Sequence, residues 1–419
     1  MSGTVHIVGA GLSGLSAAVS LAGAGHRVAV HEAAGQAGGR CRSFHDATLD
    51  RRIDNGNHLL LSGNRATHDY LDAIGATDAL IGPDRAEFGF VDATTGSRWT
   101  VRPGAGPIPW WVLLPHRRVP GTRISEYLRA LRLVNASNGA TVIQCLGGPG
   151  LLYQRFWEPL AVAALNTSGE EGAASLLWPV VRETFGRGEA HCRPRIARDG
   201  LSEALVDPAL RTLVDSAEVK FNRRLRAIET EGDRIVGLDF GGGNHLPLAP
   251  EDSTILAVPP AAATTLVPGL DAPAESRAII NGHFRLPQTS KHVYFLGVVG
   301  GVVQWLFVRG DIVSTTVSAA NSLVDVSNEV IAGEMWRDVS LVLGLGRADL
   351  PAHRILTEKR ATFAQTPAEI ARRPGTQTAW NNLFLAGDWT DTGLPATIEG
   401  SIRSGHSAAD AIFARAANT

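Results

Sequence analysis

Apolar positions along this chain fall into short blocks separated by glycine-rich turns, and the period changes from block to block. The stretch VHIVGAGLSGLSAAVSLAGAGHRVAVHEA, residues 5–33, predicts a strand, a glycine turn, an amphipathic helix and a second strand. Residues 225–243, LRAIETEGDRIVGLDFGGG, alternate as the two arms of a β-hairpin do, and STILAVPP at 253–260 predicts a buried strand. VYFLGVVGGVVQWLFV, 293–308, is rich in β-branched residues and has Gly300 and Gly301 at its centre. It predicts two strands around a turn and not a helix. The last long pattern, NNLFLAGDWTDTGLPATIEGSIRSGHSAADAI at 381–412, predicts strand, loop and helix. No uninterrupted apolar run reaches the length needed to span a bilayer.

Two apolar stretches raise questions of their own. FWEPLAVAALN, 156–166, places Glu158 between Trp157 and Pro159. That carboxylate is expected to pair with Arg155, or to cap the turn of a helix at Pro159, or to be buried for chemistry. IPWWVLLP, 108–115, is too short to span a membrane and is followed by His116, Arg117 and Arg118. It is expected to pack in a core, line a pocket or touch a membrane surface.

Composition narrows the class. A chain of 419 residues is long enough for two domains, and 44% hydrophobic with 19% charged residues is globular. A formal net charge of -2 gives no electrostatic footprint for nucleic acid. Cys41, Cys145 and Cys192 have neither disulfide-scaffold nor zinc spacing, so no metal is expected and a reducing compartment is. No charged segment or cleavage site precedes the first strand, so a secretory signal is not expected. The location expected is cytoplasmic, with peripheral contact at the inner membrane through residues 108–118.

The first pattern carries chemistry. Gly9, Gly11 and Gly14 have G-x-G-x-x-G spacing between a strand and a helix that starts at Leu12 and Ser13. The first glycine lets the chain turn, the second admits a pyrophosphate, and the third lets helix and strand approach. The helix N-terminus presents free amides to an anion. Glu32 ends the second strand, where a carboxylate can accept both ribose hydroxyls. AAGQAGGRCRS then adds Gly38, Gly39, Arg40 and Arg42, a second glycine pair followed by guanidinium groups.

With IDNGNHLL at 53–60, which contributes Asp54, Asn55, Gly56, Asn57 and His58, these segments resemble the FAD-dependent amine oxidase and phytoene desaturase superfamily. The resemblance implies that 53–60 runs beneath the flavin, that Gly387 and Asp388 hold the ribitol, and that Thr397 and Ile398 start a helix facing the pyrimidine edge. It places Val219 near the adenine. It also implies an α/β fold: a Rossmann-like FAD-binding domain assembled from discontinuous segments, 1–79, 191–259 and 356–419, plus an α+β substrate domain from 80–190 and 260–355. FAD is the expected cofactor.

FWEPLAVAALNTS, RPRIARDGLSEAL and DWTDTGLPATIEGSIRSG further resemble the hydroxysqualene dehydroxylases, also called squalene-associated FAD-dependent desaturases of bacterial hopanoid pathways. The resemblance implies reductive loss of a hydroxyl from an apolar C30 isoprenoid, giving squalene, with hydride from the reduced cofactor. Hydroxide leaves poorly, so an acid is wanted; the candidates are Glu158, His58 and His283, with Asn281 two residues from His283 on one strand face. Three other readings stand beside this one: a carotenoid desaturase, an amine oxidase, and a flavin-binding scaffold without turnover. Pro395, Ala396, Thr397 and Ile398 put no aromatic side chain where many amine oxidases build a cage. Nothing in the sequence marks the electron donor.

Overall fold

The computed structural model describes residues 3–148, 150–290 and 293–417. Its nucleotide side is a five-stranded parallel sheet in the order Ala217–Lys220, Arg27–His31, Thr4–Val8, Ser253–Leu256, Leu383–Leu385. Parallel neighbours need crossovers, and helix Leu12–Gly23 supplies the first one. Ser253–Leu256 is buried at all four positions, as a central strand covered on both faces must be. Helix Ile398–Ala417 follows the last strand and lies against Leu12–Gly23. Small residues at the contact explain how closely they pack. A Cβ on Gly405 would run into Ser16 and the Ser13 carbonyl, and Ser16 Oγ donates to the Ile402 carbonyl at 3.2 Å.

The predicted hairpin at 225–243 forms as Ala227–Glu231 and Arg234–Asp239, and His245–Pro247 adds a third strand. The pair predicted at 293–308 also forms: Tyr294–Val299 runs antiparallel to Trp305–Arg309. Asp338 holds the intervening turn by accepting from the Val302 and Val303 N–H groups at 2.7 and 2.9 Å.

That pair belongs to a seven-stranded sheet in the order His353–Phe363, Ser276–Arg285, Ile312–Val317, Trp305–Arg309, Tyr294–Val299, Phe88–Asp92, Arg98–Val101. One face, with Ile280, Phe284, Leu306 and Val313, packs on helix Asn328–Leu343. The other carries Trp305, Phe295 and Phe307 and packs on the short helices between residues 110 and 191. Strand His353–Phe363 runs unbroken across 355/356, so the boundary expected there cuts a strand that pairs with Ser276–Arg285. Among the described residues, no helix is long and apolar enough to cross a membrane.

Candidate functional site

The two glycine turns, far apart in sequence, meet in space. Gly9 takes φ 108°, a region only glycine enters freely, and its N–H donates to the His31 carbonyl at 2.8 Å. A Cβ on Gly14 would strike the Gly9 carbonyl oxygen, so helix and turn are in backbone contact. The second turn is tied on by the Gly38 N–H, which donates to the Ala10 carbonyl at 2.8 Å. A Cβ on Gly39 would sit 3.4 Å from Gly11 Cα, whereas one on Gly11 would meet nothing within 4 Å. The open side of Gly11 is where a bulky phosphate group fits, next to the first amides of the helix beginning at Leu12.

Glu32 is fixed by the Ala10 and Ala34 N–H groups, each donating at 2.7 Å to a different carboxylate oxygen. Each oxygen keeps lone-pair capacity for a ribose hydroxyl. Val219 lies half-buried on the neighbouring strand, level with Val30. On the other side of the cradle, Arg40 donates to Asp388 at 2.8 Å and also to the Ala361 carbonyl. That pair joins the second glycine turn to the C-terminal loop. Gly387 N–H donates to Ser404 Oγ at 2.8 Å, which fixes the loop on the final helix. Thr397 accepts from Gly400 N–H at 3.1 Å, and the first amides from Ile398 onward have no intrahelical partner. The set fits a dinucleotide whose phosphates, ribose and polyol chain each find a donor or acceptor of the right kind.

Residues 53–60 cross over to the seven-stranded sheet. Asn281 donates to the Asn55 carbonyl at 3.3 Å and accepts from Asn57 Nδ2 at 3.3 Å and Thr316 Oγ1 at 2.9 Å. Asn57 also donates to Thr316 Oγ1 at 3.1 Å. The Gly56 α-carbon faces both Asn281 Nδ2 and His58 Nε2. His58 is half-buried, makes no side-chain hydrogen bond among the described residues, and burial pushes its pKa down to about 4. His283 is buried two residues from Asn281 on the same face, as the alternation predicts. Its Nδ1 bonds Ser314 Oγ at 2.8 Å, its Nε2 has no partner, and burial lowers its pKa to about 4.

The register gives that face a gradient. Asn281, Thr316 and Trp305 are opposite one another in one row; His283, Ser314, Phe307 and Phe295 form the next. Polar groups thus occupy the strand facing residues 53–60, and aromatic rings take over two strands away. Leu59 and Leu61 pack into the same apolar cluster as those rings.

Glu158 stands apart from this polar layer. It begins helix Glu158–Leu165 after a π-helical turn, Tyr153–Trp157. Its carboxylate accepts from Gly169 N–H at 3.4 Å, and its second oxygen is buried without a partner. The Tyr153 hydroxyl converges on the same glycine, and burial pushes that phenol well up. The expected pairing with Arg155 is not made: Arg155 pairs with Asp92 at 3.3 Å and lies over the Trp99 ring at 5.0 Å. Arg155 is drawn away because the strand carrying Asp92 offers both a carboxylate and an aromatic face.

Three buried side chains escaped the sequence reading. Arg373 donates to the carbonyls of Trp389, Leu394, Asp388 and Thr390 and to Thr392 Oγ1, shaping the whole loop after Asp388. Its neighbour Arg372 faces outward to Asp271 and Glu369. Gln365 accepts from Ala396 N–H at 2.9 Å and donates to the Leu165 carbonyl at 2.6 Å, bridging helix Glu158–Leu165 to the start of the last helix. Glu399, next to Ile398, turns inward and accepts from the Ala66 and Thr67 N–H groups at 2.9 Å, capping helix Arg65–Ala73.

Comparison with known proteins agrees with this geometry. The profile of the family described as flavin containing amine oxidoreductase matches residues 12–288 and 306–413. A hydroxysqualene dehydroxylase of Rhodopseudomonas palustris is 49% identical over 99% of both chains. Another, from Zymomonas mobilis, is 43% identical over 97% of this chain and 98% of its own. The cyclohexylamine oxidase of Brevibacterium oxydans superposes with a TM-score of 0.71 over both full lengths at 15% identity, which speaks to the fold alone. The chain belongs to the flavin containing amine oxidoreductase family, and FAD is the cofactor that family carries.

Proposed function

We propose that this chain converts hydroxysqualene to squalene by reductive loss of the hydroxyl; its full-length relatives are named hydroxysqualene dehydroxylases. FAD, when bound and reduced, supplies the hydride. The residues proposed to hold it are Gly9, Gly11, Leu12, Ser13, Gly14 and Glu32; Gly39, Arg40, Asn55, Gly56, Asn57 and His58; Val219; and Gly387, Asp388, Thr397 and Ile398. The observation that carries the reading is the sheet face on which a small polar layer gives way to aromatic rings. A polyisoprenoid alcohol has that polarity: one hydroxyl on a long hydrocarbon.

Asn281 and His58 are placed to hold the leaving hydroxyl by hydrogen bonds. A histidine with its pKa near 4 is neutral at pH 7, so His58 orients the oxygen and is not a store of protons. His283 acts behind them as a positioning residue through Ser314. Glu158, with Tyr153, is the remaining candidate, a carboxyl within the apolar bundle whose second oxygen has no partner.

Anaerobic incubation of the reduced holoprotein with hydroxysqualene, followed by mass spectrometry of the extracted lipid, tests the reading. Squalene is the expected product. Oxidation of phytoene or squalene under an electron acceptor, with no squalene formed from hydroxysqualene, would assign the chain to the desaturases instead.

A further inference from the structure

We propose that residues 108–134 form a docking face for an anionic phospholipid bilayer, through which the lipid substrate reaches the interior; the second clause rests on the function proposed above. The sequence points to 108–118 alone, and the structure adds a second segment. Trp110 and Leu131 are each 64% exposed, and Ile108, Leu113, Leu128 and Val134 are exposed with them. With Leu114 and Ile124, eight large apolar side chains face water between residues 108 and 134, which exceeds the scattered exposure of an ordinary surface.

Trp110 and Leu113 lie in the 3-10 turn Trp110–Leu113, and Leu128 and Leu131 in the 3-10 turns Leu128–Leu133, which follow the single helical turn Ile124–Tyr127; Ile108 and Val134 flank them. Each turn is anchored by one inward ring or aliphatic group. Trp111 packs edge-on against Tyr127 at 5.8 Å, and Leu133 is buried. The turns are therefore held from within while their other faces stay free.

Charge selects the partner. Arg117, Arg118, Arg123, Arg129 and Arg132 lie along this face, against Glu126 as the one acidic residue between 105 and 147. The chain as a whole has a formal net charge of -2, so this is a local inversion of sign. Arg118 and Arg129 donate to the Val112 and Gly147 carbonyls at 3.1 Å each, bonds that fix them without neutralising them. Exposed tryptophan and leucine among unneutralised arginines match the interface of a bilayer bearing anionic headgroups.

Continuity with the interior supplies the link to the substrate. Trp111, Val112, Tyr127 and Leu133 belong to the same apolar cluster as Trp305, Phe295, Leu59 and Leu61. Apolar side chains thus extend without interruption from the exposed face to the segment next to His58, so the proposed docking face and the proposed site share one apolar cluster.

Sedimentation of the full-length holoprotein with vesicles of phosphatidylcholine, with and without phosphatidylglycerol, tests the docking face. Binding at least about tenfold tighter to the anionic vesicles, and weakening with salt, is expected. The exposed variants L128E/L131E and R117Q/R132Q should each weaken that binding by about tenfold or more, with conversion of hydroxysqualene in detergent micelles retained. No vesicle binding by the unaltered protein, equal binding to both vesicle types, or unchanged binding by both variants would overturn the proposal. So would a solution dimer that L128E/L131E dissociates, since the face would then belong to a second copy. Conversion in micelles without vesicle binding overturns the docking face alone; vesicle binding without conversion overturns the reaction alone.

Discussion

The nucleotide cradle and the helical region between residues 102 and 191 are built on opposite plans. In the cradle, backbone meets backbone: Gly14 on Gly9, Gly39 on Gly11, Gly405 on Ser16. Its side chains are short or fixed by several bonds, and Glu32, Asp388 and Ser404 each have a place set by main-chain donors or a charged partner. The helical region consists of short helices and 3-10 turns, each secured by a few buried rings or aliphatic groups, and it leaves large apolar side chains facing water. A cofactor that never changes favours the first plan, since preorganisation strengthens binding. The second plan suits an apolar isoprenoid and the lipid-facing surface proposed above.

Arg373 gives the largest effect by which to break that comparison. Arg373→Met keeps the length of the side chain and removes every donor to the loop after Asp388, leaving buried carbonyls unmatched. A loss of about 3–5 kcal/mol is expected, together with loss of bound FAD, read from urea unfolding and from flavin absorbance after gel filtration. A change below about 1 kcal/mol would mean that the loop is held from elsewhere.

The next effect separates folding from binding within one motif. Gly14→Ala forces a methyl against the Gly9 carbonyl, and overpacking of this kind costs about 1–3 kcal/mol. Gly11→Val meets open space, so the apoprotein should melt as before while FAD binding falls by at least about tenfold, the amount set by losing ~1.4 kcal/mol of binding. Equal loss of stability in both variants would erase the distinction between the packing glycine and the binding glycine.

Legibility in the sequence follows the same divide. Gly9, Gly11, Gly14 and Glu32 act on their neighbours in the chain, so spacing alone locates them. The hairpins at 225–243 and 293–308 announce themselves by alternation and turn glycines. Arg373 and Gln365 have no local pattern, because their partners lie in segments that only the fold brings near. The two arginines before Pro374 are alike in sequence, and only tertiary packing turns Arg373 inward and Arg372 outward. Arg155 shows the converse: a carboxylate three residues away was the obvious partner, and Asp92, 63 positions distant, takes the bond. Asn281 and His283 were legible as a pair on one face. Their rows with Trp305 and Phe307 depend on a strand register that no single segment encodes.

Acid sensitivity gives a smaller effect at the junction of the two regions. Burial lowers the His283 pKa from 6.5 to about 4, so the unfolded chain binds more protons than the folded one between those values. Stability contributed by the neutral ring is present above pH 6.5 and is lost as pH falls toward 4, by the order of 2–3 kcal/mol. His283→Gln, which can still bond Ser314, should flatten this part of the curve of unfolding free energy against pH. His31 and His58, lowered to about 3 and about 4, keep a residual slope. An unchanged slope in the variant would place the His283 ring in water.

The smallest expected effect tests the other side of the comparison. Trp110 and Leu131 are large, yet more than half of each faces solvent, so replacing both with serine removes little that folding had buried. The melting temperature of the W110S/L131S protein should stay within the range set by about 0.5 kcal/mol, as surface changes do. Trp111, next in sequence and buried against Tyr127, is the control. Trp111→Ser should cost about 3 kcal/mol or more, because the ring leaves a cavity where turn meets turn. If W110S/L131S proved as costly as Trp111→Ser, the exposed side chains would be packed in solution. The helical region would then be a second closed core and not a face kept open toward lipid. If the two differ as expected, adjacent tryptophans in one apolar run have separate tasks, one holding the turn and the other presented outward.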